Sequence, residues 1–383
     1  MQYKNSIYDM IKRIYCNYHS ISVKKKYFVI ESDDWGAVRT PSLNVYNYFK
    51  KNGLKVDNDP YFKFDSLEKN NEINDLLDLL SNYKNVNNCH PIITANTIVA
   101  NPDFFKIQNS NFDKYYYENF TNTLYQRDGN NDVLYTIKKG IDQKLWKPQF
   151  HGREHLYVKK WMSDLNNKDK QNTLEAFKFG CYGMTSNVCD SIKNDYMGAF
   201  NSSLKQDLDF FQESITDGLN IFEDIFSFRS KSFIPTTYTW HPTIEKVLLQ
   251  NGVRFLQGLM HQRYPIDDDE HFKFKKNNYM GTFSKSGLMY LTRNAFIEPS
   301  LNPKFDWLSD SLNRIQIAFM MKKPVIISSH RLNYIGSLDP SNKDRGLFML
   351  SNLIKNVIKL HPDVEFISSD ELGNIILNSI NEK

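Results

Sequence analysis

The chain has 383 residues, a formal net charge of +4 and a hydrophobic fraction of 40%. That is ample for a sizeable core, and barrels of this length often form one domain with insertions. Apart from Lys24-Lys25-Lys26 and a few pairs, the basic residues are scattered, which excludes a nucleic-acid footprint.

The segment from Met1 to Ile30 carries charges throughout and lacks the apolar run of a signal peptide. No stretch reaches the ~18 apolar residues of a membrane span. A cytoplasmic location is therefore expected, with no transmembrane segment and no nucleic-acid partner. Composition leaves the oligomeric state open. The cysteines Cys16, Cys89, Cys181 and Cys189 form no CxxC pair and read as idle thiols. Aromatic residues make up 14%. Most of them read as core, although sugar clefts also use aromatic faces.

Short apolar runs alternate with amphipathic segments. Strands are predicted at Tyr27–Glu31, Pro91–Ala95, Leu145–Phe150, near Tyr182–Ser186, at Ser232–Thr236, Val253–Gln257, Leu288–Thr292, Val325–Ser329 and Val364–Ile367. Helices are predicted at Ser42–Lys51, Ile73–Leu80, most of Asp103–Tyr125, Ser203–Phe226, Thr243–Leu249, Trp307–Met321, Lys343–Leu360 and Asp370–Ile380. Asp267–Asn278 (DDDEHFKFKKNN) reads as a mobile loop. Such alternation implies parallel strands with helical crossovers, in a closed or partly closed barrel. No linker marks a boundary, so one domain is expected over 1–383, with its core from about 26 to 372.

Three motifs sit at predicted strand ends, where an α/β barrel keeps its active site. Glu31-Ser32-Asp33-Asp34-Trp35-Gly36 follows the run YFVI. Two adjacent carboxylates there repel unless a cation or proton compensates, although a bare pair is more often a turn or helix cap. His151-Gly152-Arg153-Glu154-His155 spaces two imidazoles four apart, so on a helical turn they would face one side and could share a metal. Pro324 to Arg331 (PVIISSHR) places His330 after a buried strand. Alone, that histidine reads as structural. Together the motifs supply a carboxylate and two imidazoles for a metal with open positions, a spare carboxylate as base and a separate histidine as acid.

These residues resemble the motifs of the polysaccharide deacetylases, the NodB-homology or carbohydrate esterase family 4 group. The family's Asp-Asp motif reads ESDDWG here, its H-x-x-x-H reads HGREH, and its late histidine reads IISSHR. The likeness runs from Tyr27 to about Asp370. It implies a distorted (β/α) barrel of seven or eight mostly parallel strands. It implies Asp33 as the base that activates water, Asp34, His151 and His155 as metal ligands, and His330 as the acid for the leaving amine. The family's R-x-P-Y motif aligns with Phe233-Ile234-Pro235-Thr236, which keeps the proline and lacks the arginine and tyrosine. The Thr236 N–H can still serve an oxyanion, since a backbone donor needs no particular side chain. Arg293, at another strand end, is the expected replacement partner for the base, with Arg39, Arg153 and Arg331 as alternatives. Trp35, Asn96, Tyr238, Trp240 and His241 are expected to line the cleft.

The resemblance implies a metal-dependent hydrolase that removes N-acetyl, less readily O-acetyl, groups from an amino sugar or glycan. An intracellular glycan precursor suits the expected location. One divalent ion is implied; zinc suits Asp/His/His, and cobalt, nickel, iron and manganese suit the same donors. The rival readings are a metallohydrolase of a non-sugar amide and a catalytically silent glycan-binding or assembly protein.

Overall fold

The computed structural model describes residues 7–189, 192, 195–267, 271–276 and 278–382. Its first strands are β1 (Tyr27–Trp35), β2 (Ile93–Ile98), β3 (Ala100–Pro102), β4 (Tyr117–Asn119) and β5 (Trp146–Gly152). Then come β6 (Ser232–Phe233), β7 (Phe255–Gly258), β8 (His261–Pro265), β9 (Phe272–Lys276) and β10 (Met289–Thr292). The last are β11 (Ala295–Phe296), β12 (Val325–His330) and β13 (Glu365–Phe366). Nine of them make one sheet, in the order β10-β7-β6-β5-β2-β1-β12-β11, with β13 on β1. Every pairing in this sheet is parallel. β3–β4 and β8–β9 are separate antiparallel pairs.

The sheet curls until its ends nearly meet. β10 and β11 are its two outer strands, yet only Arg293 and Asn294 separate them in the chain. The Arg293 N–H bonds to the Gly258 carbonyl at the end of β7, and the Asn294 N–H bonds to Ile326 on β12. One stretch of chain thus links the two edges of a distorted (β/α) barrel whose ladder stays open there. β1 shares one flank between two partners: β13 pairs at Tyr27 and Phe28, and β2 pairs from Ile30 onward.

β1 is buried almost along its whole length, as a parallel strand covered on both faces must be. The helices lie outside and give their apolar stripes to the core. In the helix Asn70–Ser81, Ile73, Leu76, Leu77 and Leu80 are buried at the spacing of one helical face. Ser368 and Glu371 close a capping box that starts the helix Ser369–Asn381 directly after β13. No helix among the described residues is long and apolar enough to cross a membrane.

Several local expectations are corrected. Tyr182–Thr185 forms no strand; it runs as irregular chain into a turn at Ser186–Val188. Gly183 there packs against the Arg39 backbone, and Tyr182–Thr185 joins none of the described sheets. Within Asp103–Tyr125, Tyr117–Asn119 pairs with β3 instead of continuing a helix. In the expected loop Asp267–Asn278, Phe272–Lys276 is β9, whose alternation of aromatic and lysine residues suits a two-stranded ribbon. Residues 268–270 and 277 of that loop lie outside the described residues. All four cysteines are free thiols.

Candidate functional site

The chemistry-bearing side chains gather at the C-terminal ends of the strands, around a cavity of about 520 Å³. β1 supplies Asp33 and Asp34. Side chains alternate along a strand, so neighbours normally point apart. Here the pairing with β2 shifts register between Ser32 and Trp35, and Asp34 adopts φ +76. A left-handed, non-glycine residue in a bulge is strained, and the bulge re-aims its side chain. Both carboxylates therefore reach the cavity. Gly36 completes the turn with φ +83, where a Cβ would lie 2.3 Å from the Ile98 carbonyl oxygen. Only glycine fits.

His151 lies on β5, but His155 is on the bend that follows. Their spacing of four works through a strand end and a turn, and the expected helical turn is absent. Gly152 permits that turn with φ +134, and the Val99 and Ala100 N–H groups hold the carbonyls of Gly152 and Arg153.

Asp34 Oδ1 lies 3.3 Å from Nε2 of both His151 and His155. All three residues are buried, and their ligand atoms lie within 4.8 Å of one another. His151 Nδ1 is 2.8 Å from the Ile234 carbonyl. That carbonyl can only accept, so Nδ1 carries a proton and Nε2 is the nitrogen turned toward Asp34 and available to bind an ion. Ligand bonds of about 2.0–2.1 Å place tetrahedral neighbours about 3.3 Å apart. The donor set thus fits a divalent ion.

Arg39 flanks this set. Its Nη2 lies 3.3 Å from Asp34 Oδ2 and 3.4 Å from His155 Nε2. Burial would raise the Asp34 pKa, but Arg39 and the two imidazoles hold it well below the usual carboxylate range. Burial, helped by Arg39, pushes His155 down to about 4, so its imidazole is neutral at pH 7.

Arg293 extends from the barrel seam to β1. Its Nη1 and Nη2 donate to Asp33 Oδ2 and Oδ1 at 2.8 and 2.6 Å, and its Nε donates to Glu31 at 2.5 Å. Asn96 Nδ2 donates to Asp33 Oδ1 at 2.7 Å. Oδ1 thus accepts two bonds and Oδ2 one. Burial would raise the Asp33 pKa, but the Arg293 charge and its hydrogen bonds bring it to about 2.

His330 pairs in register with Asp33 across β1 and β12, and its Nε2 is 3.6 Å from Asp33 Oδ2. Its Nδ1 lies 2.6 Å from Glu298, whose other oxygen accepts from Asn333. Burial opposes protonation, but the Glu298 carboxylate outweighs it and lifts His330 to about 9.

Of the residues expected in the cleft, Tyr238 lines the cavity beside Pro235 and Thr237. Thr237 and Tyr238 both have positive φ, a second strained segment on its wall. Asn96 is spent on Asp33. Thr236 is buried, and its hydroxyl accepts from the Ala199 N–H. Trp35 packs edge-on against Trp146 in the core. Trp240 bonds Glu245, and His241 bonds Thr243 and Tyr264. These three rings lie outside the cavity lining because each is committed to a local partner. Of the alternative arginines, Arg153 pairs with Glu154 and Asp217, and Arg331 with Asp65 and Glu68.

Sequence reasoning missed Glu298. The signal was present: Ala295-Phe296-Ile297-Glu298 is an apolar run ending in an acid, as in the first motif. Glu31 and Tyr61 were also missed; Tyr61 stands edge-on to His330.

No protein-family model matches the chain, and no curated protein matches it. Among solved structures it is similar to a Mycobacterium smegmatis protein assigned as a polysaccharide deacetylase, with 11% identity, 94% of each chain covered and a TM-score of 0.42. It is similar to an allantoinase, with 9% identity, 91% and 88% covered and a TM-score of 0.40. A 4-alpha-glucanotransferase from Thermococcus litoralis gives 7% identity and a TM-score of 0.42; 91% of this chain spans 40% of that one.

Proposed function

We propose that this protein is a metal-dependent deacetylase that releases acetate from an N-acetylated amino sugar or glycan. One observation carries the reading: a carboxylate fixed between Arg293 and Asn96 stands beside an Asp/His/His donor set and opposite a protonated histidine. Asp34, His151 and His155 would hold one divalent ion. Bound there, it supplies Lewis acidity, making water a better nucleophile source and polarising a carbonyl.

The chain's own groups supply the proton transfers. Asp33 Oδ2 has the freer lone pair and takes the proton of the attacking water. Its pKa near 2 makes it a weak base, so its contribution is position and constant ionisation. The Thr236 N–H, beside Pro235, donates to the oxyanion. His330, protonated at neutral pH, gives its proton to the leaving nitrogen. An amine leaves only once protonated, which is why a histidine lifted to about 9 favours an amide over an ester. Zinc is the proposed ion.

His155→Ala should bind far less metal than wild type by elemental analysis, with little change in fold. Equal metal in both proteins contradicts the ligand set. A second prediction concerns pH. Turnover should fall above about pH 9, as His330 loses its proton. Glu298→Gln removes the charge that lifts His330, so its alkaline limb should lie at lower pH. A limb that stays in place would remove Glu298 from this role.

A further inference from the structure

We propose that the helix Ile7–Tyr18 is a docking surface for a second copy of this chain. The helix is strongly amphipathic, yet it is mounted inside out. Its buried side is polar: Arg13 pairs with Asp310, Asn17 Oδ1 accepts from Asn294 beside the barrel seam, and Ser20 just beyond receives Lys323. Its open side carries Met10, Ile11, Ile14, Tyr15 and Tyr18, exposed by 47, 57, 37, 50 and 66%. An amphipathic helix on a barrel normally buries that stripe. Polar anchors hold it outward instead.

The pattern points to another helix as its cover. Ile11, Ile14 and Tyr18 are spaced three and four, the seam of a helix pair. The five exposed residues leave on the order of 500 Å² open, at the upper end for a monomer, so two copies would bury about 1,000 Å², the least a specific interface needs. The exposed stripe bears no charge, so a twofold copy meets it without like-charge repulsion. An anionic lipid surface would call for a cluster of lysines and arginines along the helix. Among the described residues of the helix, Lys12 is the one exposed cation, beside the seam.

Light scattering on the full chain should give twice its 45.1 kDa mass. The double variant Ile11→Glu/Ile14→Glu should halve that mass, with an unchanged circular dichroism spectrum and melting temperature, since both side chains face solvent. A monomeric wild type overturns the proposal, as does a variant that remains dimeric. A monomer that floats with phosphatidylcholine–phosphatidylserine vesicles overturns it in favour of a lipid partner.

Discussion

Arg293→Ala should lose both stability and turnover. Glu31 and Asp33 lie two residues apart on β1, both buried, and Arg293 is the cation that touches both. Removing one member of a buried ion pair costs about 3–5 kcal/mol, because the remaining charge is left uncompensated. The loss should depend on pH. Asp33 ionises at about 2 in the folded chain, below the ~3.9 of an unperturbed aspartate. Its pairing therefore contributes fully above about pH 4, and the contribution is lost as pH falls through about 2. The gap between wild-type and variant urea midpoints should be widest near neutral pH and narrow below pH 4. A variant as stable as wild type at pH 7 would show that Arg293 does not hold the two carboxylates. Arg293→Lys keeps the charge without the planar fork. It should recover more stability than turnover, since only the fork fixes both Asp33 oxygens.

Asp33→Asn should fold and hold metal, yet release acetate about 10²–10⁴-fold more slowly, the usual range for a lost general base. Asparagine keeps the size and one acceptor oxygen, to which Arg293 Nη2 and Asn96 can still donate, but its amide group meets Arg293 Nη1 as a second donor and cannot take a proton from water. Arg293 keeps Glu31 as its counter-charge, so this variant should be much the less destabilised of the two. Turnover equal to wild type, on a substrate the wild type cleaves, would remove Asp33 from the mechanism. Loss of metal together with turnover would make Asp33 a ligand.

Much of this site was legible because parallel strands announce themselves. YFVI, PIITA and PVIIS are continuous apolar runs, and in a barrel the residues after such runs meet at one mouth. Asp33, His151, His330 and Arg293 follow from that rule. The spacing of His151 and His155 was misread as helical because separation by four fixes no backbone; a strand end with a left-turning glycine also brings the rings together. Trp35 and Trp240 follow strand ends too, but a tryptophan there looks the same in sequence whether it packs inward or faces a ligand. Glu298 ends a short apolar run as Asp33 does, but nothing in Ala295–Ser300 names its partner until β11 is laid beside β12. The outward stripe of the helix Ile7–Tyr18 is visible as a pattern, but its direction depends on Arg13 finding Asp310, a contact 297 positions away.

The most direct test of the central claim is acetate release across a panel of N-acetylated amino sugars and glycans. It should be run with wild type and Asp33→Asn, each as chelated and as zinc-reloaded protein. Zinc-loaded wild type should release acetate from at least one member, chelated wild type should not, and reloading should restore release. Zinc-loaded Asp33→Asn should lag by orders of magnitude. Release that is indifferent to chelation, or no release from any substrate by fully metal-loaded wild type, would contradict a metal-dependent deacetylase.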